Sequence, residues 1–159
     1  MECFCIRNID YESQDFKRCY EIFYNNMKKI ANNGFYDLFV VDIEKWKMDL
    51  MRKNPTFLIY KNGEEIVGYI IVLEKEDDNF IYEYQIESKY QGDGSTFNRM
   101  IFEGIKNIDI NKGFSGKIWA VNDKSKKVFE HLGAKFDDNS CYYHLDAETL
   151  KEKMKNINK

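Results

Sequence analysis

The chain has 159 residues, 43% of them hydrophobic, and a formal net charge of −3 from 24 basic and 27 acidic side chains. This length suits one domain of about 150 residues, and the apolar content excludes an intrinsically disordered chain. The charge leaves no basic excess for neutralising a phosphate backbone, so we expect no nucleic-acid partner.

The first half of the chain predicts antiparallel strands around two helices. The first helix follows Ser13, because apolar residues recur there at spacings of three and four, and the second begins near Asp42 and ends before Pro55. A hairpin is predicted at Asn62-Gly63, which is a strong turn signal. The predicted strands of this half are residues 3–9, 56–60, 66–73 and 80–87.

The second half predicts alternating helices and strands. A glycine-rich loop at residues 91–95 leads into a helix with an apolar stripe, and Gly133 is well placed to end the next helix. The predicted strands are residues 117–121, 135–136 and 141–145, and the later helices are residues 123–132 and 147–158. This order requires a parallel crossover after the hairpins, so we expect one mixed α/β domain over residues 1–159.

Neither a membrane span nor a metal site is expected. The longest apolar runs, such as residues 70–73, fall far short of the ~20 residues of a membrane helix. The first residues lack a basic segment followed by an apolar stretch, so we expect no secretory signal and a cytoplasmic protein. The two histidines and four cysteines lack the spacing of zinc ligands.

The glycine-rich loop is the first segment with chemical potential. Gly92 and Gly94 let backbone N–H groups approach an anion, and the helix N-terminus that follows adds partial positive charge. Ser95 or Thr96 can cap the helix or donate a hydroxyl hydrogen bond. The loop therefore suits a pyrophosphate, with an ordinary strand-to-helix turn as the alternative. Phe97 excludes a dinucleotide fingerprint, and the absence of a Lys-Ser/Thr pair excludes a nucleotide P-loop.

Together with a later segment, this loop resembles the GNAT acetyltransferase superfamily. The superfamily's acetyl-CoA loop reads Gln/Arg-x-x-Gly-x-Gly/Ala, which Gln91 and Gly94 match, with Thr96 at the last position. The downstream pattern Asn-x-x-Ala-x-x-x-Tyr-x-x-x-Gly-Phe appears at Asn122, Ser125, Phe129, Gly133 and nearby Phe136. The resemblance implies a central, mixed, mostly antiparallel sheet of six or seven strands, splayed between strands 4 and 5, with helices on both faces.

The resemblance also implies acetyl-CoA as the cosubstrate. Backbone groups before the loop would contact pantetheine between the splayed strands, where one freed N–H would polarise the thioester carbonyl. The loop would hold the pyrophosphate, and Asp93 would repel it unless its side chain points outward. The expected contacts are Tyr84, Gln85, Ile86, Gln91, Gly92, Asp93, Gly94, Ser95, Thr96, Asn122, Ser125 and Phe129.

The implied reaction is direct attack of a primary amine on the thioester in a ternary complex. An amine of pKa ~10.4 is mostly protonated at neutral pH, so a base or a water relay must help. Glu83 is the candidate base and Glu87 the reserve, since alternation places both on one strand face with Gln85. The alternative for Glu83 is a solvated or hydrogen-bonded strand residue.

Phe129 occupies the position of the superfamily's proton-donating tyrosine. A water, Tyr142 or Tyr143 would have to replace that donor, with core packing as the alternative for both tyrosines. Phe129 therefore leaves open a non-catalytic CoA-binding or sensing module, or an interaction domain that binds no CoA.

The identity of the acceptor amine is a second open question. Residues 35–39 fall where the superfamily's acceptor loop lies, and core packing is the alternative for their aromatic side chains. The acceptor can be a small molecule or a protein, and the sequence leaves both a monomer and a homodimer open.

Overall fold

A computed structural model describes residues 1–32, 41–92, 94–118, 123–137 and 141–157. In these ranges seven strands and five helices follow in the order β1-α1-α2-β2-β3-β4-α3-β5-α4-β6-β7-α5. The strands are β1 Glu2–Ile6, β2 Thr56–Asn62, β3 Glu65–Glu74, β4 Asn79–Ile86, β5 Phe114–Lys117, β6 Lys135–Phe136 and β7 Tyr142–Leu145. The helices are α1 Gln14–Asn32, α2 Ile43–Lys53, α3 Ser95–Gly104, α4 Asp123–His131 and α5 Ala147–Ile157.

The seven strands form one mixed sheet in the order β1-β2-β3-β4-β5-β7-β6. β1 runs antiparallel to β2, and β7 runs antiparallel to both β5 and β6. β4 and β5 are parallel, and their register joins Asn79 to Phe114 and Ile81 to Gly116. The mostly antiparallel sheet with one parallel crossover confirms the predicted fold class, whereas the gap expected between β4 and β5 stays a prediction.

The chain divides into two compact units. Unit 1 comprises Met1–Ile71 and Glu83–Gln91, and unit 2 comprises Val72–Tyr82 and Gly92–Lys159. The expectation of a single domain stays a prediction. In the described ranges, no helix is long and apolar enough to cross a membrane, and no group of three or more His, Cys, Asp or Glu side chains is arranged to hold a metal ion.

The core of unit 1 is rich in aromatic rings. Of the predicted apolar stripe of α1, Phe16 and Phe23 are buried, whereas Tyr20 and Met27 are half-buried. Phe16 and Phe23 each stack on Trp46 of α2, with ring centroids 5.1 and 5.3 Å apart. Tyr69 of β3 meets Trp46 edge-on at 6.0 Å. Burying a large apolar side chain contributes about 1.5–3 kcal/mol, so this cluster holds both helices against the strands.

The ends of α2 fix the position of Trp46. Asp42 is the N-cap, as predicted, and its carboxylate accepts a hydrogen bond from the Lys45 N–H at 2.8 Å. Asn54 ends the helix in the left-handed conformation, at φ 48°, directly before Pro55. The helix is therefore bounded by its own sequence at both ends.

In unit 2, β5 begins three residues earlier than the strand predicted at residues 117–121. The described strand is Phe114–Lys117, and residues 119–122 lie outside the described ranges. The start of this strand was not predicted because it contains Gly116, and glycine weakens a strand pattern. Its role is spatial, since a Cβ there would overlap the ring of Tyr143 on β7.

Candidate functional site

The N-terminus of α3 depends on Gly94. This residue is the N-cap, with φ 93°, and its carbonyl accepts the first helical hydrogen bond from the Asn98 N–H at 3.1 Å. A Cβ at position 94 would lie 3.1 Å from Val128 Cγ2 of α4, whereas a Cβ at Gly92 would meet nothing within 4 Å. Glycine is therefore needed at 94 for both conformation and close packing. Asp93 lies outside the described residues.

A groove of about 500 Å³ lies between this loop and α4 in unit 2. Gly92, Gly94 and Ser95 line it on the loop side, so the first turn of α3 presents the positive end of its helix dipole there. The volume falls within the range of about 300–1,000 Å³ typical of small-molecule sites. The predicted anion loop thus borders a real concavity.

Two lysines and a histidine line the opposite side of the groove. Lys124, Lys127 and His131 are exposed and follow one another at spacings of three and four, so they share a face of α4. Lys126 instead places its Nζ 5.2 Å from the ring centroid of Phe136. The sequence interpretation missed both groove lysines, although their helical spacing after the candidate cap was the available signal.

Asn98 supplies a further polar group to the groove. Its Oδ1 is buried and has no hydrogen-bond partner among the described residues. Such atoms are rare, because a buried polar atom loses its water without compensation. The fit to a polar, negatively charged molecule therefore comes from Lys124, Lys127 and the N-terminus of α3, which line the groove.

The structure does not bring Ser125 and Phe129 to this groove. Phe129 is fully buried, with its ring centroid 5.1 Å from that of Phe97 and 4.3 Å from that of Tyr143. Ser125 is half-buried one turn earlier on the same helical face. α4 thus turns Lys124 and Lys127 to the groove and Phe129 to the core. Asn122 lies outside the described residues.

In unit 1, the end of β4 is held by side-chain amides. Asn26 of α1 donates to Gln85 Oε1 and to the Ile86 carbonyl, both at 2.9 Å. Gln91 Nε2 donates to the same carbonyl at 2.8 Å and to Asn26 Oδ1 at 3.3 Å. Both N–H bonds of the Gln91 amide are used within the protein, so its role as a pyrophosphate ligand stays a prediction. Tyr84 lies half-buried on the same strand.

Asn26 was missed by sequence reasoning. It is 7% exposed and lies three residues after Phe23, which is the spacing of the buried stripe of α1. A polar residue at a stripe position needs a hydrogen-bond partner, and this was the signal that could have singled it out.

Glu83 lies on β4 beside the aromatic core of unit 1. Its Oε2 accepts a hydrogen bond from the Tyr69 hydroxyl at 2.8 Å. The residue is half-buried, but protein surrounds its carboxyl group, and this desolvation raises the pKa of Glu83 to about 7 against the opposing effects of Tyr69 and Trp46. Near neutral pH the group can therefore both take and release a proton, as a general base must.

The other acid–base candidates have different surroundings. Glu87 caps the short 3₁₀ turn Ser88–Tyr90 and accepts a hydrogen bond from the Lys89 N–H at 3.0 Å. Tyr142 is 46% exposed, with Lys117 Nζ 5.6 Å from its ring centroid. Tyr143 is buried against Phe129. These surroundings favour Glu83 over Glu87 as the base and assign Tyr143 to packing.

The aromatic residues of the predicted acceptor loop, at positions 35, 36 and 39, lie outside the described ranges.

Solved structures provide the comparison with known proteins, since no family model and no curated protein matches the chain. The PaiA N-acetyltransferase from Thermoplasma acidophilum, in complex with coenzyme A, is similar with a TM-score of 0.68 and 13% identity, over 92% of this chain and 99% of that one. An acetyltransferase from Thermus thermophilus gives a TM-score of 0.67 and 16% identity, over 91% and 96%. A GNAT-family acetyltransferase from Bacillus anthracis gives 0.60 and 15%, over 93% and 96%. The chain therefore has the fold of the GNAT acetyltransferases.

Proposed function

We propose that the protein is an N-acetyltransferase that transfers the acetyl group of acetyl-CoA to a primary amine by direct attack in a ternary complex. The observation that carries this proposal is the groove of unit 2, where the glycine loop and the N-terminus of α3 face Lys124 and Lys127. The fold supports it, because similar structures are acetyltransferases and one is a complex with coenzyme A.

The residues of the groove fit the phosphate groups of acetyl-CoA. Lys124 and Lys127 supply two positive charges, and the first turn of α3 adds the positive end of its dipole. When bound, acetyl-CoA supplies an activated acyl group with a thiol leaving group of ordinary pKa about 8.5.

Glu83 is the proposed general base. With its pKa raised to about 7, a large fraction is ionised at neutral pH, and this carboxylate takes a proton from the substrate ammonium directly or through a water. The nitrogen lone pair is then free for attack. Phe129 cannot protonate the departing thiolate, and we assign that proton to water.

A thiol-release assay across a panel of primary amines, together with calorimetry of acetyl-CoA binding, tests the proposal. We expect binding and amine-dependent release of CoA thiol, with the rate increasing as pH rises through about 7. Absence of both acetyl-CoA binding and turnover would contradict the proposal and favour an interaction domain that binds no CoA.

A second candidate is a non-catalytic CoA-binding or sensing module. It is favoured by Phe129, whose ring is buried between Phe97 and Tyr143 at the position where the resemblance places a proton-donating tyrosine. This candidate predicts acetyl-CoA binding without turnover for every amine tested, and binding that Glu83→Gln leaves unchanged. Measurable turnover that Glu83→Gln abolishes would exclude it.

A further inference from the structure

Tyr69 lies in the core of unit 1. Its side chain is fully buried on β3, and its ring packs against Trp46 and Phe57 at centroid distances of 6.0 and 6.4 Å. Apolar packing of this kind needs no hydroxyl. The hydroxyl is nevertheless used, because it donates to Glu83 Oε2 at 2.8 Å.

We propose that Tyr69 is a positioning residue for the acetyl-transfer reaction, whose buried hydroxyl holds the Glu83 carboxyl group in one orientation and sets how readily it takes a proton. The inference rests on the proposed function, since Glu83 is the base in that reaction.

Tyr69 keeps its proton, and so remains a hydrogen-bond donor, at neutral pH. Burial and the neighbouring Glu83 carboxylate hold the pKa of Tyr69 well above its usual value. A hydrogen bond from a neutral donor to a carboxylate is charge-assisted and favours the ionised form. Tyr69 therefore opposes the desolvation that raises the pKa of Glu83.

The remaining groups that face Glu83 in the described part of unit 1 do not replace this donor. Cys19 of α1 is fully buried, and burial holds the pKa of its thiol far above the usual range, so it stays neutral. Trp46 of α2 lies near enough to lower the pKa of Glu83, but its Nε1 has no hydrogen-bond partner within normal geometry among the described residues. Tyr69 thus makes the well-formed hydrogen bond to the carboxylate.

The test is the pH dependence of kcat in Tyr69→Phe at saturating amine and acetyl-CoA. Phe keeps the ring contacts and removes the donor, so the pKa of Glu83 should rise. We expect the acidic limb of the kcat profile to move to higher pH by about one unit, which corresponds to the loss of one charge-assisted hydrogen bond. At pH values below the midpoint of this limb, kcat of the variant should be about tenfold lower than that of the wild type. KM for acetyl-CoA should stay unchanged.

Tyr20→Phe is the matched control. Its hydroxyl also donates within this aromatic cluster, but to the Val41 carbonyl at 2.9 Å rather than to Glu83. This variant should leave the midpoint of the acidic limb where it is in the wild type. An equal shift in both variants would overturn the inference, because loss of any hydroxyl from the cluster would then explain it.

A second measurement gives the pKa of Glu83 without relying on turnover. Carbon-13 NMR of the glutamate carboxyl groups, with Glu83 assigned by its loss in Glu83→Gln, should show its pKa raised in Tyr69→Phe and unchanged in Tyr20→Phe. An unchanged Glu83 pKa in Tyr69→Phe would overturn the inference. So would a raised pKa without movement of the kcat limb.

Failure of the proposed function gives a different result. In that case the wild type itself acetylates no amine at any pH, and the positioning role of Tyr69 is overturned together with the reaction. An active wild type with a Tyr69→Phe profile identical to its own would instead remove the positioning role alone.

Discussion

Glu83 in unit 1 and the groove lysines in unit 2 carry charge in opposite surroundings. The Glu83 carboxyl group is enclosed by protein and bonded to Tyr69, and desolvation raises its pKa to about 7. Lys124 and Lys127 are exposed on one face of α4. This difference in burial matches the proposed roles of the base Glu83 and of the phosphate-binding lysines. A carboxyl group exchanges protons near neutral pH only when its pKa is raised, and burial raises it. Side chains that attract a charged ligand from water must instead be accessible.

Replacing the buried carboxylate should have the largest effect. Glu83→Gln keeps an acceptor for the Tyr69 hydroxyl but removes the base, so we expect kcat to fall about 10²–10⁴-fold. KM for acetyl-CoA should stay within about twofold, because the groove is unaltered. Steady-state thiol release measures both. Glu87→Gln is the comparison variant, and a larger loss of kcat there than in Glu83→Gln would reverse the assignment of the base.

The next effect concerns the loop of the groove. Gly94→Ala forces a side chain into the left-handed conformation at φ 93° and brings its Cβ to 3.1 Å from Val128 Cγ2. We expect a loss of about 1–2 kcal/mol and a Tm lower by about 2–8 °C. Gly92→Ala is the control, with nothing within 4 Å of its new Cβ. Equal Tm changes in the two variants would show that Gly94 is not specifically required.

Removing the exposed charges should have a smaller effect of a different kind. Lys124→Gln combined with Lys127→Gln should raise KM for acetyl-CoA about tenfold, or about 1.4 kcal/mol, with little change in kcat. The KM of the variant should also depend less on salt concentration, because salt screens the attraction between these two lysines and the phosphates and the variant lacks both lysines. Lys126→Gln removes the same charge from the same helix but outside the groove lining. An equal KM increase in this control would refute phosphate binding by the groove face.

The last effect concerns stability as a function of pH rather than activity. The folded-state pKa of Glu83 is raised from 4.5 to about 7, so the folded protein binds this proton more tightly than the unfolded chain does. The resulting stability is present below pH 4.5 and is lost as pH rises through about 7. The Tm of Glu83→Gln minus that of the wild type should therefore increase between pH 5 and pH 8, by about 5–10 °C. A difference that stays constant would mean that Glu83 is not desolvated.

Local sequence patterns predicted the elements well but not their partners. The stripe of α1, the Asp42 cap and the alternation that selected Glu83 depend on neighbours in sequence, which are visible in one chain. Tyr69 lies 14 residues before Glu83, and its role depends on the packing of β3 against β4. The sequence shows a tyrosine in an apolar strand and not the carboxylate that its hydroxyl meets.

Only some of the groove residues could likewise be predicted from the sequence. Its glycines were predicted because a turn constrains residue type, whereas its lysines are two of 24 basic residues in the chain. Phe129 was placed among the acetyl-CoA contacts by motif position, but its ring packs on Tyr143. Motif spacing identifies a helix, and three-dimensional packing decides which of its faces meets a ligand.

The neighbourhood of Trp46 and Glu83 has an optical consequence. Indole fluorescence responds to the ionisation of a nearby carboxyl group, and Trp46 lies close enough to Glu83 to affect its proton affinity. The chain has one other tryptophan, Trp119, so a Trp119→Phe variant keeps Trp46 as its single tryptophan. The emission of that variant should follow the protonation of Glu83, which gives the protein a built-in pH indicator that needs no label and no substrate.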